Sequence, residues 1–322
     1  MVVALGGHAI VPHGAAGTAE QQLATIERAM AEVATLVSEG PDVVVTHGNG
    51  PQVGNLLTKN LLARHAVPAM PLHWCVAQTQ ATIGLAMLTA LEAQLRAGGI
   101  GRPIVPVLSR VLVRLDDPAW REPSKPIGRF LTADEAAAAM ADDPAQVWRE
   151  TTTTDGAGWR RVVPSPEPVR SPEADTVRML LDAGAVVVAN GGGGVPMVED
   201  EDGRLVGVDA VVDKDLAAAL LAIELGADRL VILTDVEGVA VDFGGAHQRW
   251  LDGVGTTELR ELATRGTFGI GSMAPKVEAA LRFVEATGHP ATIGPLERAA
   301  DVFHGRSGTR VTPSGAPLGA GR

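Results

Sequence analysis

Residues 185–215, AVVVANGGGGVPMVEDEDGRLVGVDAVVDKD, combine an apolar run, four consecutive glycines and a lysine between two aspartates. The apolar β-branched run Val186 to Val188 predicts a buried strand. Four consecutive glycines, Gly191 to Gly194, end that strand, although such a run forfeits side-chain packing and costs backbone entropy. We therefore expect the turn where the backbone must come close to something. Because the N–H groups of such a turn can form an anion-binding concavity, the stretch predicts half of a phosphate site.

Two lysines lie at the predicted starts of helices. Lys214 stands between Asp213 and Asp215, either of which can cap its helix. In GSMAPK, Ser272 is a good N-cap and places Lys276 in the first turn of the next helix. A cation there opposes the helix dipole, so an anion bound at each helix start would explain both lysines. The alternatives are a local ion pair at Lys214 and a side chain at Lys276 that extends to water.

Lysine is rare in this chain. Of 27 Lys and Arg residues only four are lysines: Lys59, Lys125, Lys214 and Lys276. Arginine therefore supplies the general surface charge, and a lysine indicates a position that needs a compact point charge, such as one beside a transferring phosphoryl group. Three of the lysines lie in PSKPIG, VVDKD and GSMAPK, whereas Lys59 is expected to be an ordinary exposed helix residue.

Strand-like and helix-like segments alternate along most of the chain. Strands are predicted at 2–5, 43–45, 104–108, 186–188, 230–234 and 290–293, with a hairpin at 205–212. Helices are predicted at 18–40, 51–65, 78–97, 172–183, 214–225, 257–264, 272–286 and 296–303. This alternation predicts an α/β fold with a mostly parallel sheet that helices cover on both faces.

Three predicted strands end in glycine turns. Since ligands bind beyond the carboxyl ends of parallel strands, we expect all three turns at one binding edge. They comprise Gly6 and Gly7; Gly48, Asn49 and Gly50; and Gly191, Gly192, Gly193 and Gly194. Several such turns on one edge suit a ligand with several phosphates.

One segment interrupts the alternation. Residues 114–168 are rich in Pro, Trp, Thr and charge, and contain a predicted helix at 133–141. We interpret them as a small subdomain inserted into a single domain of residues 1–312. Residues 313–322 are predicted to be a disordered tail.

Composition excludes several function classes. The chain has 322 residues, 46% of them hydrophobic, which is ample for a large core. Its apolar runs are too short for a membrane span, and the first residues lack the basic and apolar regions of a signal peptide. A single cysteine, Cys75, excludes a disulfide framework and favours the cytoplasm. The net charge of −11 argues against nucleic acid as a partner.

Several well-known motifs are absent or imperfect. The chain contains no P-loop, no nucleophile elbow and no histidines at metal-ligand spacing, so no protein-held metal is predicted. The glycines Gly48, Gly50 and Gly54 resemble a dinucleotide fingerprint but have one residue too many, which argues against a dehydrogenase.

Nine segments together make the chain similar to the carbamate kinases of the amino acid kinase superfamily. They run nearly from end to end: VVALGGHAI, VVVTHGNGPQVGNLL, PSKPIGRF, GWRRVVPSPEP, NGGGGVP, VVDKDLAAALLA, LTDVEGV, GSMAPKVEAALRFVE and GTRV. The pair PSKPIG and WRRVVPSP within the insertion distinguishes carbamate kinases from other members of the superfamily.

The resemblance implies an open αβα sandwich, with a subdomain that protrudes over the active site, and a homodimer. It implies reversible phosphoryl transfer between ATP and carbamate, run mainly from carbamoyl phosphate and ADP towards ATP. Mg²⁺ would be held mainly by the nucleotide phosphates. Phosphoryl transfer needs positioning and charge stabilisation rather than a covalent nucleophile, which agrees with the residues present.

The resemblance also implies roles for individual residues. Lys214 and Lys276 would grip the transferring phosphoryl group, Asp215 would position them, and Lys125 would reach in from the subdomain. The glycine turns named above, from Gly6 to Gly194, would cradle phosphates and substrate. The nucleotide would lie among Thr234, Asp235, Val239 and Met273.

The chain departs from the family pattern on the expected acceptor side. His8 replaces an Asn, Arg129 replaces a Pro, and Ala81 and Leu85 replace a Gly and a Tyr. A sister kinase with another small carboxylate, carbamate or phosphonate acceptor is therefore the alternative function. A third hypothesis is a protein that binds a nucleotide without turnover. The presence of Lys125, Lys214 and Lys276 argues against it.

Overall fold

The structure is a computed structural model, and it describes residues 1–6, 10, 17–153, 156–268 and 273–315. The predicted site residues Gly7 and His8, the predicted cap Ser272 and residues 316–322 lie outside the described residues, as does the side chain of Arg129.

The helices of the described residues are α1 (Ala19–Ser38), α2 (Gly50–Ala63), α3 (Leu72–Ala97), α4 (Ala133–Asp142), α5 (Ala174–Asp182), α6 (Lys214–Glu224), α7 (Thr256–Thr264), α8 (Met273–Thr287) and α9 (Ala299–Phe303). The strands are β1 (Val2–Leu5), β2 (Val44–His47), β3 (Ile104–Pro106), β4 (Arg110–Leu112), β5 (Lys125–Leu131), β6 (Val147–Thr153), β7 (Gly156–Val163), β8 (Val186–Val188), β9 (Val195–Glu199), β10 (Leu205–Gly207), β11 (Leu230–Thr234), β12 (Ala240–Val241), β13 (Arg249–Trp250), β14 (Gly253–Gly255), β15 (Ala291–Pro295) and β16 (Thr309–Thr312).

An eight-stranded sheet forms the centre of the fold, in the order β14-β16-β15-β11-β1-β2-β8-β3. Every neighbouring pair is parallel except β15 and β16, which are antiparallel. Side chains alternate between the two faces of a strand, so β1 contributes to two cores. Val2 and Ala4 join the core under α6 and α8, whereas Val3 and Leu5 join the core under α1 and α3. The predicted α/β sandwich with a mostly parallel sheet is therefore confirmed.

The carboxyl ends of the central strands meet at one edge of the sheet. Leu5 of β1 pairs with both His47 of β2 and Leu233 of β11, and Val45 of β2 pairs with Val188 of β8. The residues that follow β1, β2 and β8 are therefore neighbours, as the positions of the glycine turns predict. This edge carries the candidate site.

A separate antiparallel sheet, in the order β5-β7-β6, lies within the range where an inserted subdomain is predicted. Helix α4 lies against it, with Ala136 of α4 and Val162 of β7 buried. The sheet contacts the main fold where Gly54 of α2 meets Gly128 of β5. A Cβ atom on Gly54 would lie 2.0 Å from the Gly128 nitrogen, so only glycine permits this approach. The domain limits themselves stay a prediction.

The predicted hairpin at 205–212 is wrong in its position. Strand β10 instead pairs antiparallel with the strand that precedes it, β9, and the turn is the acidic segment between the two strands. The Asp200 side chain accepts hydrogen bonds from the N–H groups of Asp202 and Arg204, at 3.0 and 2.8 Å, and Gly203 has a φ of +76°. Aspartate and glycine are typical turn residues for these reasons, so the turn lies at 200–203.

The structure also differs from the sequence predictions at α3, at β16 and at the start of the tail. Helix α3 begins at Leu72, directly after Pro71, rather than near residue 78. Strand β16 pairs with β14 and β15 at the sheet edge, where no strand is predicted. The Ser314 hydroxyl accepts a hydrogen bond from the Thr257 N–H at 2.8 Å, so the ordered chain continues past the predicted start of the tail. Within the described residues, no helix is long and apolar enough to cross a membrane.

Candidate active site

The start of helix α6 brings a carboxylate and a distant lysine together. The Asp213 side chain caps α6, since its Oδ1 accepts hydrogen bonds from the N–H groups of Asp215 and Leu216, at 2.9 and 3.3 Å. Its other oxygen, Oδ2, lies 2.6 Å from Lys125 Nζ. Lys125 begins strand β5 of the inserted sheet, so this ion pair connects the insertion to the main fold.

Asp215 holds the other two candidate lysines. Its Oδ1 lies 2.6 Å from Lys214 Nζ, and its Oδ2 lies 3.4 Å from Lys276 Nζ. Asp215 and Lys276 are both buried, with 2% and 7% of their surfaces exposed. Lys276 is the fourth residue of α8, so the starts of two helices meet here. The structure thus brings together all four residues that the sequence predicts to be catalytic.

Among the described residues of this cluster, the ammonium groups outnumber the carboxylates. The three ammonium groups of Lys125, Lys214 and Lys276 face two carboxylates, those of Asp213 and Asp215. Burial lowers the pKa of Lys276, and Lys214 lowers it further, while Asp215 and Asp213 partly oppose the shift. An anion placed here would restore the charge balance and stabilise the Lys276 ammonium.

Asp213 is held in its charged form. Burial by itself would raise the pKa of this carboxyl, but Lys125 and Lys214 outweigh that effect and hold the pKa well below its usual range. The carboxylate therefore stays ionised at neutral pH and can keep its grip on Lys125.

Close packing within the protein accounts for the four-glycine turn. The turn forms a short 3₁₀ helix with positive φ angles at Gly192, Gly193 and Gly194. A Cβ atom on Gly191 would lie 2.3 Å from His47 Nε2, and one on Gly192 would lie 2.2 Å from Asn49 Nδ2. The close approach expected from the sequence is thus an approach to the end of β2. The N–H groups of Gly193 and Gly194 donate back within the turn, to Asn190 and Gly191.

The turn after β2 is tied down by buried hydrogen bonds. The Asn49 amide donates to Thr79 Oγ1 at 2.8 Å, and His47 Nδ1 lies 2.9 Å from the Gly48 carbonyl oxygen. Burial lowers the pKa of His47 to about 4, although the Gly48 contact partly opposes the shift. His47 is therefore neutral at pH 7, and its Nδ1 donates the hydrogen bond. Gly50 follows as the first residue of α2.

Gln80 joins two of the loops at this edge. Its Nε2 donates to the carbonyl oxygens of Ser109 and Gly191, each at 2.9 Å, and its Oε1 accepts from the Ser109 N–H at 2.8 Å. Sequence reasoning did not assign roles to His47 and Gln80. Two signals in the sequence could have indicated them. His47 is a polar residue close behind the valine-rich run of a predicted buried strand, and Gln80 is an amide within a predicted helix.

The predicted nucleotide-side residues lie along β11 and beyond it. Gly6, which is predicted to bind phosphate or substrate, packs against this strand, since a Cβ atom there would lie 3.1 Å from the Leu233 carbonyl oxygen. Thr234 ends β11, and its hydroxyl donates to Asp235 at 3.1 Å. Val239 is buried, and its N–H donates to Thr309 Oγ1 at 2.8 Å. Met273 begins α8, three residues before Lys276.

Comparison with known proteins gives consistent matches. The model of the Amino acid kinase family matches residues 1–295. The carbamate kinase of Pyrococcus horikoshii is 42% identical over 97% of this chain and 99% of its own length. That of Halobacterium salinarum is 44% identical over 97% of this chain and 98% of its own. The structure of carbamate kinase from Giardia lamblia bound to AMP-PNP superposes with a TM-score of 0.89 at 38% identity, covering 97% of this chain and 98% of that one.

Proposed function

The chain belongs to the amino acid kinase family and, within it, to the carbamate kinases, and we propose that it transfers a phosphoryl group reversibly between ATP and carbamate. In the expected direction, carbamoyl phosphate and ADP give ATP, and the released carbamate breaks down to ammonia and CO₂. The observation that carries the proposal is the cluster in which the buried carboxylates of Asp213 and Asp215 hold Lys125, Lys214 and Lys276.

The lysine cluster suits phosphoryl transfer. The transition state of this reaction is loose, and its negative charge spreads over the phosphoryl oxygens. We assign Lys214 and Lys276 to those oxygens and Lys125 to the phosphoryl or carbamate group. The two aspartates would act as positioning residues that fix the ammonium groups before the substrate arrives, which avoids reorganisation during the reaction. Each cation is expected to contribute a few kcal/mol, roughly, of transition-state stabilisation.

The remaining predicted site residues surround this cluster in the proposal. The turns at Gly6 and Gly7, at Gly48, Asn49 and Gly50, and at Gly191 and Gly192 would cradle phosphates and substrate, together with His8 and Arg129. The N–H groups of Gly193 and Gly194 donate within their own turn, so these two glycines would shape the cradle rather than donate to the ligand. Thr234, Asp235, Val239 and Met273 would contact the nucleotide. Their support is that β1, β2, β8 and β11 end at the edge where ligands of parallel sheets bind.

We propose that Mg²⁺ arrives with the nucleotide. Within the described residues, no group of three or more His, Cys, Asp or Glu side chains is arranged to hold a metal ion. Asp213 and Asp215 are already paired with lysines. In this proposal the ion is carried mainly by the ATP or ADP phosphates, where it would neutralise part of their charge.

A homodimer in the cytoplasm completes the proposal. Strand β3 forms one edge of the central sheet, and large apolar side chains near it are exposed, including Leu85 at 64% and Leu108 at 60%. An unpaired edge beside exposed apolar residues suits contact with a second copy.

The use of ATP and the single free Cys75 favour the cytoplasm. We also propose residues 1–312 as one domain with an insertion at 114–168.

One observation favours a second candidate function, a sister kinase with another small acidic acceptor. A cavity of about 420 Å³ lies beside the glycine turn, and its walls include His47, Gly191 and Ala81. Ala81 is one of the positions where the chain departs from the carbamate kinase pattern. Leu85, one helical turn further along α3, is another.

The direct test is ATP formation from ADP and carbamoyl phosphate with Mg²⁺. We expect ATP well above the uncatalysed background. Failure of that reaction, together with ADP formation from ATP and another small carboxylic or phosphonic acid, would support the sister kinase. Binding of ADP without turnover of any acceptor would overturn both.

A further inference from the structure

A second cavity lies between helix α2 and the inserted sheet. It has a volume of about 190 Å³. Its walls come from α2, α4 and strands β5, β6 and β7, with Leu57, Leu61, Ile127 and Trp148 among the apolar side chains. Lys125, Lys214 and Lys276 are not among its lining residues, although Lys125 begins strand β5, which contributes Ile127 and Gly128. A cavity of this size can hold a ligand of several heavy atoms, since an apolar cavity of about 150 Å³ accommodates benzene.

Arg161 occupies the centre of the sheet face that lines this cavity. It pairs with Ile127 on one neighbouring strand and with Trp148 on the other, so these three side chains point to the same face. The adjacent Arg160 is engaged differently, since its guanidinium donates to the Gly128 carbonyl oxygen at 2.9 Å and lies over the Phe130 ring.

Among the described residues, the Arg161 guanidinium has no hydrogen-bond or ion-pair partner. Its Nε is buried and has no hydrogen bond, and within the described part of the chain the group forms no ion pair. Burial lowers its pKa, and Asp143 and Asp209 oppose the shift only at a distance. Trp148 Nε1, on the next strand, is also buried without an acceptor. Buried donors without acceptors cost roughly 1–3 kcal/mol each, so a ligand that supplies an acceptor would bind favourably here.

The other charges at the cavity compensate each other. Arg64 of α2 and Asp142 of α4 both line it, and their side chains form an ion pair with an N–O distance of 2.6 Å. One positive charge, that of Arg161, therefore remains among walls that are mostly apolar, with Thr58 and Gln146 as the uncharged polar side chains. This combination selects a ligand with one negative charge and an apolar body, because a dianion would leave a second charge buried without a partner.

We propose that this cavity is an accessory binding site for a small monocarboxylate with an apolar body, whose carboxylate pairs with Arg161. The apolar body lies against Leu57, Leu61 and Trp148. The ligand would contact both α2 and the inserted sheet, and it would hold the two together beside the contact of Gly54 with Gly128. The proposal does not depend on the phosphoryl-transfer chemistry, since it concerns different residues.

The test is calorimetric titration of the full chain with benzoate and with butyrate. We expect saturable binding at one site in the millimolar range. Arg161→Met should weaken it by about tenfold or more, because the counter-charge is lost. Ala139→Leu should weaken it similarly, because it fills the cavity wall and leaves the guanidinium in place. Benzyl alcohol, which has the apolar ring without the charge, should bind at least about tenfold more weakly than benzoate.

Two controls locate the binding. Arg149→Met removes an exposed arginine of the same sheet and should leave the affinity unchanged. Lys276→Ala should also leave benzoate binding unchanged, since that lysine lies in the other site. Circular dichroism checks that each variant is folded, and Ala139→Leu tests the proposal even if Arg161→Met does not fold. The proposal is overturned by an absence of saturable binding, by equal affinity in Ala139→Leu and wild type, or by loss of binding in Lys276→Ala.

Discussion

Lys276 Nζ lies 3.4 Å from Asp215 Oδ2, although 61 residues separate the two in sequence. Asp215 also holds Lys214, so a single buried carboxylate positions two ammonium groups from the starts of two helices. Burial makes such a cluster costly to maintain, because charged groups removed from water lose hydration. In the proposed function, the need to hold a transferring phosphoryl group would explain why the protein keeps so costly a cluster.

Replacing Asp215 by Asn should lower kcat while leaving the fold intact. The amide preserves the shape of the side chain but removes the charge that fixes both lysines. Since small misplacements of reacting groups reduce rates by up to about a hundredfold, we expect kcat to fall between about tenfold and a hundredfold. Steady-state ATP formation measures the effect. The matched control is Asp182→Asn at an exposed acid of α5, and equal kcat values in the two variants would contradict the positioning role.

Two substitutions at Asp213 should separate its capping role from its hold on Lys125. Asparagine is also a good N-cap, whereas alanine is not, and losing a cap costs about 1 kcal/mol. Both variants should lose activity because Lys125 loses its partner. Asp213→Ala should in addition be less stable than Asp213→Asn by about 1 kcal/mol in urea denaturation. Equal stabilities would show that the cap contributes nothing.

Gly54→Ala should destabilise the protein, although alanine is the better helix former. The new Cβ atom would lie 2.0 Å from the Gly128 nitrogen, so α2 and the inserted sheet must move apart. We expect a loss of about 1–3 kcal/mol in unfolding free energy, together with lower activity because Lys125 lies on the displaced strand. Gly101→Ala is the control, since a Cβ atom there meets nothing within 4 Å. A more stable, fully active Gly54→Ala variant would contradict the contact.

His47 should make stability depend on pH. Its pKa is about 4 in the folded protein and near 6.5 when unfolded, so below pH 6.5 the unfolded chain binds the extra proton. Stability is therefore lost as the pH falls from 6.5 towards 4. Between pH 7.5 and pH 5, wild type should lose about 2 kcal/mol more than His47→Gln, which has no such group. Denaturant titrations at both pH values measure this difference, and parallel losses in the two proteins would show that His47 is not buried in its neutral form.

Much of the fold could be predicted from local sequence signals. The Thr18 and Gln21 capping box at the start of α1 forms as expected, and so do the strands read from short valine-rich runs. Asp213 caps α6 as the sequence allows. The shared edge followed from the rule that parallel strands present their carboxyl ends together. These features depend on residues within a few positions of each other, where side-chain chemistry decides the outcome.

The rest depended on distant partners. Nothing near Lys125 indicates that it pairs with Asp213, which lies 88 residues later. The glycine run suggested a close approach, but its neighbours, His47 and Asn49, come from a strand that precedes it by about 140 residues. Similarly, the need for glycine at positions 54 and 128 becomes visible only when α2 and β5 are packed against each other. Contacts of this kind are set by the packing of whole elements.

The most direct test of the central claim compares ATP formation from ADP and carbamoyl phosphate by Lys214→Ala, Lys276→Ala and Lys59→Ala. Lys59 is an exposed lysine of α2 and serves as the matched control. The account predicts that the first two variants remain folded and lose about a hundredfold or more in kcat, while Lys59→Ala keeps the wild-type rate. Near-wild-type rates for Lys214→Ala or Lys276→Ala would contradict the claim that this cluster transfers the phosphoryl group.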